Sequence, residues 1–79
     1  MEQMAVQYEI YGRDDCIYCE KAKELLDRLK KPYIYIEIGK DISLEQFKIR
    51  FPFAKTVPQI CHDFFHIGGY NDLELYLWP

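Results

Sequence analysis

Two cysteines separated by two residues lie where the hydrophobic periodicity of the chain changes, and this junction constrains the fold most. The side chains from Gln7 to Tyr11 alternate between two faces as in a strand, with Val6, Tyr8 and Ile10 on one side. Apolar residues at helical spacing begin at Ile17. A helix that begins near Cys16 places its free N–H groups and the positive end of its dipole beside that sulfur, which favours the thiolate. Cys19 falls on the same helical face, close enough to form a small disulfide. The pair is therefore a candidate for thiol-disulfide exchange.

The residues after this junction predict a helix and a second strand. The helix runs from Ile17 to Lys30, is stopped by Pro32, and buries one stripe formed by Ala22, Leu25, Leu26 and Leu29. Tyr33 to Ile38 is β-branched and aromatic, with residues on both faces suited to burial. A strand, a helix and a strand with short connections predict a right-handed parallel βαβ unit.

The remaining residues predict a helix, a hairpin and a final helix. Ser43 has Gln46 at the capping-box position, which predicts a helix to about Phe51 with Leu44, Phe47 and Phe51 on one face. Gln59–His62 and Phe65–Ile67 form a hairpin that turns at Asp63. After Gly68 and Gly69, either Asn71 or Asp72 caps a helix whose core residues are Leu73, Tyr76 and Leu77. The predicted order is β-α-β-α-β-β-α.

Composition restricts the class of protein. The 79 residues predict a single domain over 1–79, and the 49% hydrophobic content predicts a globular fold. A net charge of −3 leaves no basic footprint for nucleic acid or an anionic membrane. The N-terminus has no charged-then-apolar signal region and no apolar run is long enough to span a membrane, so we expect a cytoplasmic protein. Three cysteines are an odd number, unlike the set of a secreted disulfide-stapled domain.

A structural zinc half-site is the main alternative for Cys16 and Cys19. The only histidine pair at finger spacing is His62 and His66, on neighbouring predicted strands, so we predict no metal site. Cys61 is predicted to be a buried apolar residue, and His62 points to the opposite side of its strand.

Three segments resemble the glutaredoxins. Cys16-Ile17-Tyr18-Cys19 resembles their Cys-Pro-Tyr-Cys, Thr56-Val57-Pro58-Gln59-Ile60 their Thr-Val-Pro loop, and Ile67-Gly68-Gly69-Tyr70-Asn71-Asp72-Leu73 their Gly-Gly-x-x-Asp-Leu segment. The resemblance implies an α/β, thioredoxin-like fold with a four-stranded mixed sheet flanked by helices on both faces. Two departures are Ile17, in place of proline, and the acidic Asp14 and Asp15, either of which could cap the helix.

The resemblance also implies a site. Cys16 would be the catalytic nucleophile and Cys19 the resolving cysteine, with glutathione as co-substrate. Arg13 would meet the glycine carboxylate, and the backbone of Val57 would pair with the cysteinyl unit, ahead of a proline that is cis in the family. A further contact from the second helix would fall near Glu45 or Gln46. The full predicted glutathione-binding set is Arg13, Tyr18, Thr56, Val57, Pro58, Gly69, Tyr70, Asn71 and Asp72.

The function that follows is a monomeric, glutathione-dependent thiol-disulfide oxidoreductase that reduces protein disulfides and glutathione mixed disulfides. The resemblance suggests ribonucleotide reductase as one acceptor, and no nucleic acid or membrane partner is expected. Two alternatives remain: a thioredoxin-like carrier reduced by a flavin reductase, and a dimer that holds an iron-sulfur cluster through Cys16 and glutathione.

Overall fold

The computed structural model describes residues 7–79 and confirms the predicted order of elements. The part of the first-strand prediction that concerns Val6 lies outside the described residues. The elements are β1 (Tyr8–Gly12), α1 (Ile17–Arg28), β2 (Tyr33–Glu37), α2 (Leu44–Arg50), β3 (Gln59–His62), β4 (Phe65–Gly68) and α3 (Tyr70–Tyr76).

The four strands form one mixed sheet in the order β2-β1-β3-β4. Strand β1 is parallel to β2 and antiparallel to β3, which in turn is antiparallel to β4. Tyr11, near the end of β1, pairs with Gln59 at the start of β3. The loop that leaves β1 and the loop that enters β3 therefore meet at the same end of these two central strands.

Helices cover both faces of this sheet, as the resemblance implied. Residues of α1 and α3 pack with one face in a cluster formed by Tyr8, Ile10, Ala22, Leu26, Ile60 and Leu73. Residues of α2 and its C-cap pack with the other face in a cluster formed by Tyr11, Phe47, Phe51 and Cys61. Neighbouring strand residues such as Ile60 and Cys61 belong to opposite clusters because side chains alternate along a strand.

Helix α1 ends before the predicted Lys30, and this changes the burial of its last apolar residue. Lys30 adopts a positive φ of 57°, and the N–H of Lys31 donates to the Leu26 carbonyl, as in a Schellman cap. Leu29 is thus the C-cap and is 44% exposed, so the prediction that it is buried is wrong. Its side chain lies beyond the last turn that rests on the sheet.

Helix α2 begins with the predicted capping box. The Ser43 hydroxyl accepts a hydrogen bond from the Gln46 N–H at 3.0 Å, and Gln46 Oε1 accepts one from the Ser43 N–H at 2.9 Å. Phe47 and Phe51 are buried as predicted, whereas Leu44 is 54% exposed. As the first helical residue, Leu44 precedes the turn that reaches the sheet.

Helix α3 is capped by Gly69 and not by Asn71 or Asp72. The chain turns at Gly68, whose φ is 123°, so the helix begins earlier than predicted. Asp72 occupies the third helical position, where its carboxylate accepts a hydrogen bond from the Gly69 N–H at 3.0 Å.

The apolar residues of α3 reach the core in two of three cases. Leu73 is fully buried and Leu77 packs against the same cluster, but Tyr76 is half-exposed. The Tyr76 hydroxyl lies 2.6 Å from His62 Nδ1, and the His62 ring stacks on Tyr8 at 4.0 Å between centroids. His62 therefore belongs to the face of the sheet that α1 and α3 cover.

Candidate active site

Cys16 and Cys19 are joined by a disulfide at the start of α1, as predicted. Cys16 is the N-cap residue, and its Sγ accepts a hydrogen bond from the Cys19 N–H at 3.1 Å. Neither Asp14 nor Asp15 is the N-cap, so that alternative is wrong. Cys16 is partly exposed while Cys19 is fully buried, so only the first sulfur can meet an incoming disulfide.

The floor beneath the cysteines is formed by Gly12 and Tyr35. A Cβ at Gly12 would lie 2.6 Å from both Cys19 Sγ and Tyr35 Oη, so only glycine leaves room for both groups. The Tyr35 hydroxyl donates a hydrogen bond to the Arg13 carbonyl at 2.7 Å. Burial, aided by the charges of nearby acidic residues, raises the pKa of Tyr35, so the phenol keeps its proton. This contact links β2 to the loop before the cysteines.

The Thr56–Val57–Pro58 segment lies directly beside the first sulfur. The Val57–Pro58 peptide bond is cis, and the Val57 carbonyl oxygen is 4.0 Å from Cys16 Sγ. Within residues 7–79 no protein group accepts a hydrogen bond from the Val57 N–H. This backbone group is therefore available to a ligand.

A groove of about 640 Å³ opens beside this segment. Eight of the nine predicted glutathione-binding residues line it, namely Tyr18, Thr56, Val57, Pro58, Gly69, Tyr70, Asn71 and Asp72. Arg13 is exposed and is not among the lining residues. Tyr18 and Tyr70 both line the groove, with their ring centroids 5.8 Å apart. Three segments that are distant in the chain thus share one cleft.

The second helix reaches the groove with residues other than Glu45 and Gln46. Neither Glu45 nor Gln46 lines the groove, and Gln46 is occupied by the capping box. Arg50 and Phe51, at the end of α2, line it instead. The Arg50 guanidinium lies 5.2 Å from the Phe51 ring centroid.

Sequence reasoning also missed three polar residues that line the groove: Lys55, Gln59 and His66. Lys55 and Gln59 flank the Thr56–Val57–Pro58 motif, and this proximity is the signal that could have identified them. His66 gives no such signal, because it reaches the groove through the pairing of β4 with β3.

Cys61 occupies the environment predicted for it. It is 1% exposed on the α2 face, and burial raises the pKa of its thiol despite the opposing effect of Arg50. His62 lies on the other face, as predicted. Among residues 7–79, no three His, Cys, Asp or Glu side chains are grouped so that they could hold a metal ion. No helix in this range combines the length and apolar character needed to cross a membrane.

A Cys-x-x-Cys disulfide at the N-terminus of the first helix of a thioredoxin-like fold defines a thiol-disulfide oxidoreductase. A sequence model described as Glutaredoxin matches residues 8–67. Glutaredoxin 1 of Escherichia coli strain K12 is 39% identical over an alignment of 80 positions, which covers 91% of this chain and 93% of that protein. The chain belongs to the glutaredoxin family.

Solved structures agree with this assignment. The reduced glutaredoxin of Escherichia coli superimposes with a TM-score of 0.76 at 36% identity, covering 90% of this chain and 92% of that one. Glutaredoxin 1 from Francisella tularensis, complexed with cacodylate, superimposes with a TM-score of 0.77 at 28% identity, covering 90% and 91%.

Proposed function

We propose that this protein reduces disulfides at the expense of glutathione. The Cys16 thiolate attacks the glutathione-side sulfur of a mixed disulfide, or one sulfur of a protein disulfide, and the other sulfur leaves as a thiolate. For a protein disulfide, Cys19 then attacks Cys16 Sγ, releases the reduced substrate and closes the Cys16–Cys19 disulfide. Two glutathione molecules reduce that disulfide and leave as glutathione disulfide. The observation that carries this proposal is the partly exposed Cys16 beside the groove segment Thr56–Val57–Pro58, with Cys19 fully buried.

The placement of Cys16 at the helix N-terminus supports its role as nucleophile and leaving group. A free thiol with a pKa of about 8.5 is only a few per cent ionised at pH 7, and lowering the pKa to about 5 gains roughly thirtyfold in thiolate. The same change lowers intrinsic nucleophilicity by about 25- to 60-fold, so attack gains little. The benefit lies in the departure of Cys16 when glutathione regenerates the enzyme, and in orientation of the substrate.

The groove supplies groups that match an extended tripeptide. The backbone of Val57 can pair with the cysteinyl unit by β-type hydrogen bonds. The backbone N–H groups of Tyr70, Asn71 and Asp72 and the side chain of Asn71 or Asp72 would hold the γ-glutamyl end. Of the two basic residues that would meet the glycine carboxylate, Lys55 lines the groove. Arg13 does not line the groove, and its side chain would have to extend toward the ligand.

Turnover of a small glutathionylated disulfide in the presence of glutathione tests this proposal. Cys16→Ser is expected to abolish turnover, whereas Cys19→Ser should retain much of it, since a mixed disulfide needs only the first thiol. Cys61→Ser is the matched control, because this third cysteine is buried on the α2 face, and it should behave as wild type. Complete loss of activity in Cys19→Ser alone would contradict the assignment of Cys16.

We further propose that the protein acts as a monomeric, cytoplasmic single domain and that its substrates include disulfide-containing proteins. The exposed Ile17 and Tyr18 beside Cys16 support docking of a protein substrate at this end. Ribonucleotide reductase is the acceptor that the family resemblance suggests. Glutathione-driven reduction of its disulfide, dependent on both Cys16 and Cys19, would support that acceptor, and no reduction would exclude it.

A further inference from the structure

Gln59 is a buried polar residue whose side chain joins the groove loop to the neighbouring hairpin strand. It is 6% exposed, and its amide nitrogen donates a hydrogen bond to the Thr56 carbonyl at 2.9 Å. Its amide oxygen lies 2.8 Å from His66 Nε2. A carbonyl oxygen can only accept, so the amide nitrogen must face Thr56 and its oxygen must face His66. His66 therefore carries a hydrogen on Nε2 and donates it to Gln59.

The two bonds form a continuous bridge from β4 to the cis-proline loop. The His66 ring is held in place by Phe51, with the ring centroids 4.7 Å apart. Thr56 directly precedes Val57, whose carbonyl lies 4.0 Å from Cys16 Sγ. The bridge therefore fixes the backbone at the point where the groove and the first sulfur meet.

An apolar residue would suit this position at least as well if only stability mattered. Gln59 points to the same face of the sheet as Cys61, beside the apolar α2 cluster. Burial of an amide gains little net stability even when it is hydrogen-bonded, and replacing both partners by apolar groups is often nearly neutral. Gln59 is buried whereas its partner His66 is exposed, so it is the buried amide of Gln59 whose presence calls for a role in positioning.

We propose that Gln59, oriented by His66, is a positioning residue that holds the Thr56–Val57 backbone ready to pair with glutathione. This inference rests on the proposed function. Without the bridge the Thr56 carbonyl is released, and the loop must be ordered each time a ligand binds, at the expense of affinity. The chemistry at Cys16 is unchanged once the ligand is bound.

The test compares four variants: Gln59→Met, His66→Phe, His66→Gln and His62→Phe. Gln59→Met keeps the side-chain length and removes both bonds, while His66→Gln keeps an N–H donor. His62→Phe is the matched control, because it removes a histidine hydrogen bond of the same hairpin on the opposite face. The readouts are kcat and apparent KM for a glutathione mixed disulfide, and the Kd for S-methylglutathione, which cannot react, measured by NMR titration of the oxidised protein.

We expect Gln59→Met to raise KM and Kd about five- to tenfold, corresponding to the loss of a typical hydrogen bond, with kcat within about twofold of wild type. His66→Phe should raise both about threefold, His66→Gln should raise them less than His66→Phe because it keeps an N–H donor, and His62→Phe should leave them unchanged. Urea unfolding of each variant verifies that it is folded during the measurement.

Wild-type Kd and KM in Gln59→Met or in His66→Phe would overturn the inference. Equal losses of affinity in His66→Phe and His62→Phe would also overturn it, since the effect would then follow from general destabilisation of the hairpin. If the wild-type protein neither binds S-methylglutathione nor turns over the mixed disulfide, the proposed function fails, and this inference falls with it.

Discussion

Replacing Gly12 by alanine perturbs the packing beneath the disulfide directly. The added Cβ would lie 2.6 Å from Cys19 Sγ and from Tyr35 Oη, and 3.2 Å from Cys19 Cβ. Neither neighbour can move easily, because Cys19 is fully buried and bonded to Cys16, and the Tyr35 hydroxyl is hydrogen-bonded to the Arg13 carbonyl. Gly12→Ala therefore forces a methyl group into occupied space.

The expected cost follows from two opposing terms. An extra carbon in a well-packed core costs about 1–3 kcal/mol, and the loss of glycine's freedom in the unfolded chain returns about 0.4–1 kcal/mol. We expect the free energy of unfolding of the oxidised protein to fall by about 1–2 kcal/mol. For a domain of this size the Tm falls by about 4–8 °C for each kcal/mol. Urea unfolding followed by circular dichroism measures the change, because the single tryptophan, Trp78, is exposed and a poor reporter.

Gly69→Ala is the matched control for this experiment. Its Cβ would lie 3.7 Å from the Pro58 carbonyl oxygen, an ordinary contact, and Gly69 has a φ of −90° that alanine tolerates. Alanine is a poorer N-cap than glycine by about 0.3–1.5 kcal/mol, and the entropic gain of about 0.4–1 kcal/mol offsets most of this, so the change should stay below about 1 kcal/mol. A Gly12→Ala protein that unfolds at the wild-type urea midpoint would refute the steric argument.

Three further predictions concern the helices and the third cysteine. Ser43→Ala removes the hydroxyl that caps Gln46 and should cost about 0.5–2 kcal/mol in urea unfolding; an unchanged midpoint would mean that the capping box contributes nothing. Leu26→Ala empties a fully buried site and should cost about 2–5 kcal/mol in the same assay, and a cost below that of Ser43→Ala would contradict its place in the core. Burial raises the pKa of the Cys61 thiol, so Cys61 should resist iodoacetamide at pH 7 in the folded, reduced protein and react only in urea. Mass spectrometry measures the rate of alkylation, and a Cys61 that is alkylated as fast as Cys16 would contradict its burial.

Local signals in the sequence predicted the order of elements and the capping box of α2, whereas the cap predicted for α3 was wrong because the chain turns at Gly68. The Ser43 capping box needs only two residues three positions apart, and the start of α1 at the cysteines follows from a change of period. The exposure of Leu29 was missed because it depends on the positive φ of Lys30, which no sequence pattern at this point indicates.

Contacts made across the sheet could not be predicted in the same way. The packing of Tyr35 on Gly12 requires β2 to lie beside β1, and the bond between His66 and Gln59 requires the register of the hairpin. Eight of the predicted glutathione-binding residues line one groove, because the family's motifs mark the segments that form it. Arg50 lies outside those motifs and reaches the groove only through the position at which α2 ends.

A redox titration of the Cys16–Cys19 pair in glutathione buffers tests most directly whether this pair exchanges with glutathione. Trapping by alkylation and mass spectrometry reports the fraction of disulfide at each ratio of reduced to oxidised glutathione. We expect a single two-electron transition with a midpoint of about −200 to −230 mV, the range of glutaredoxins. A disulfide fraction that does not change across these buffers would contradict the assignment of glutathione as the reductant.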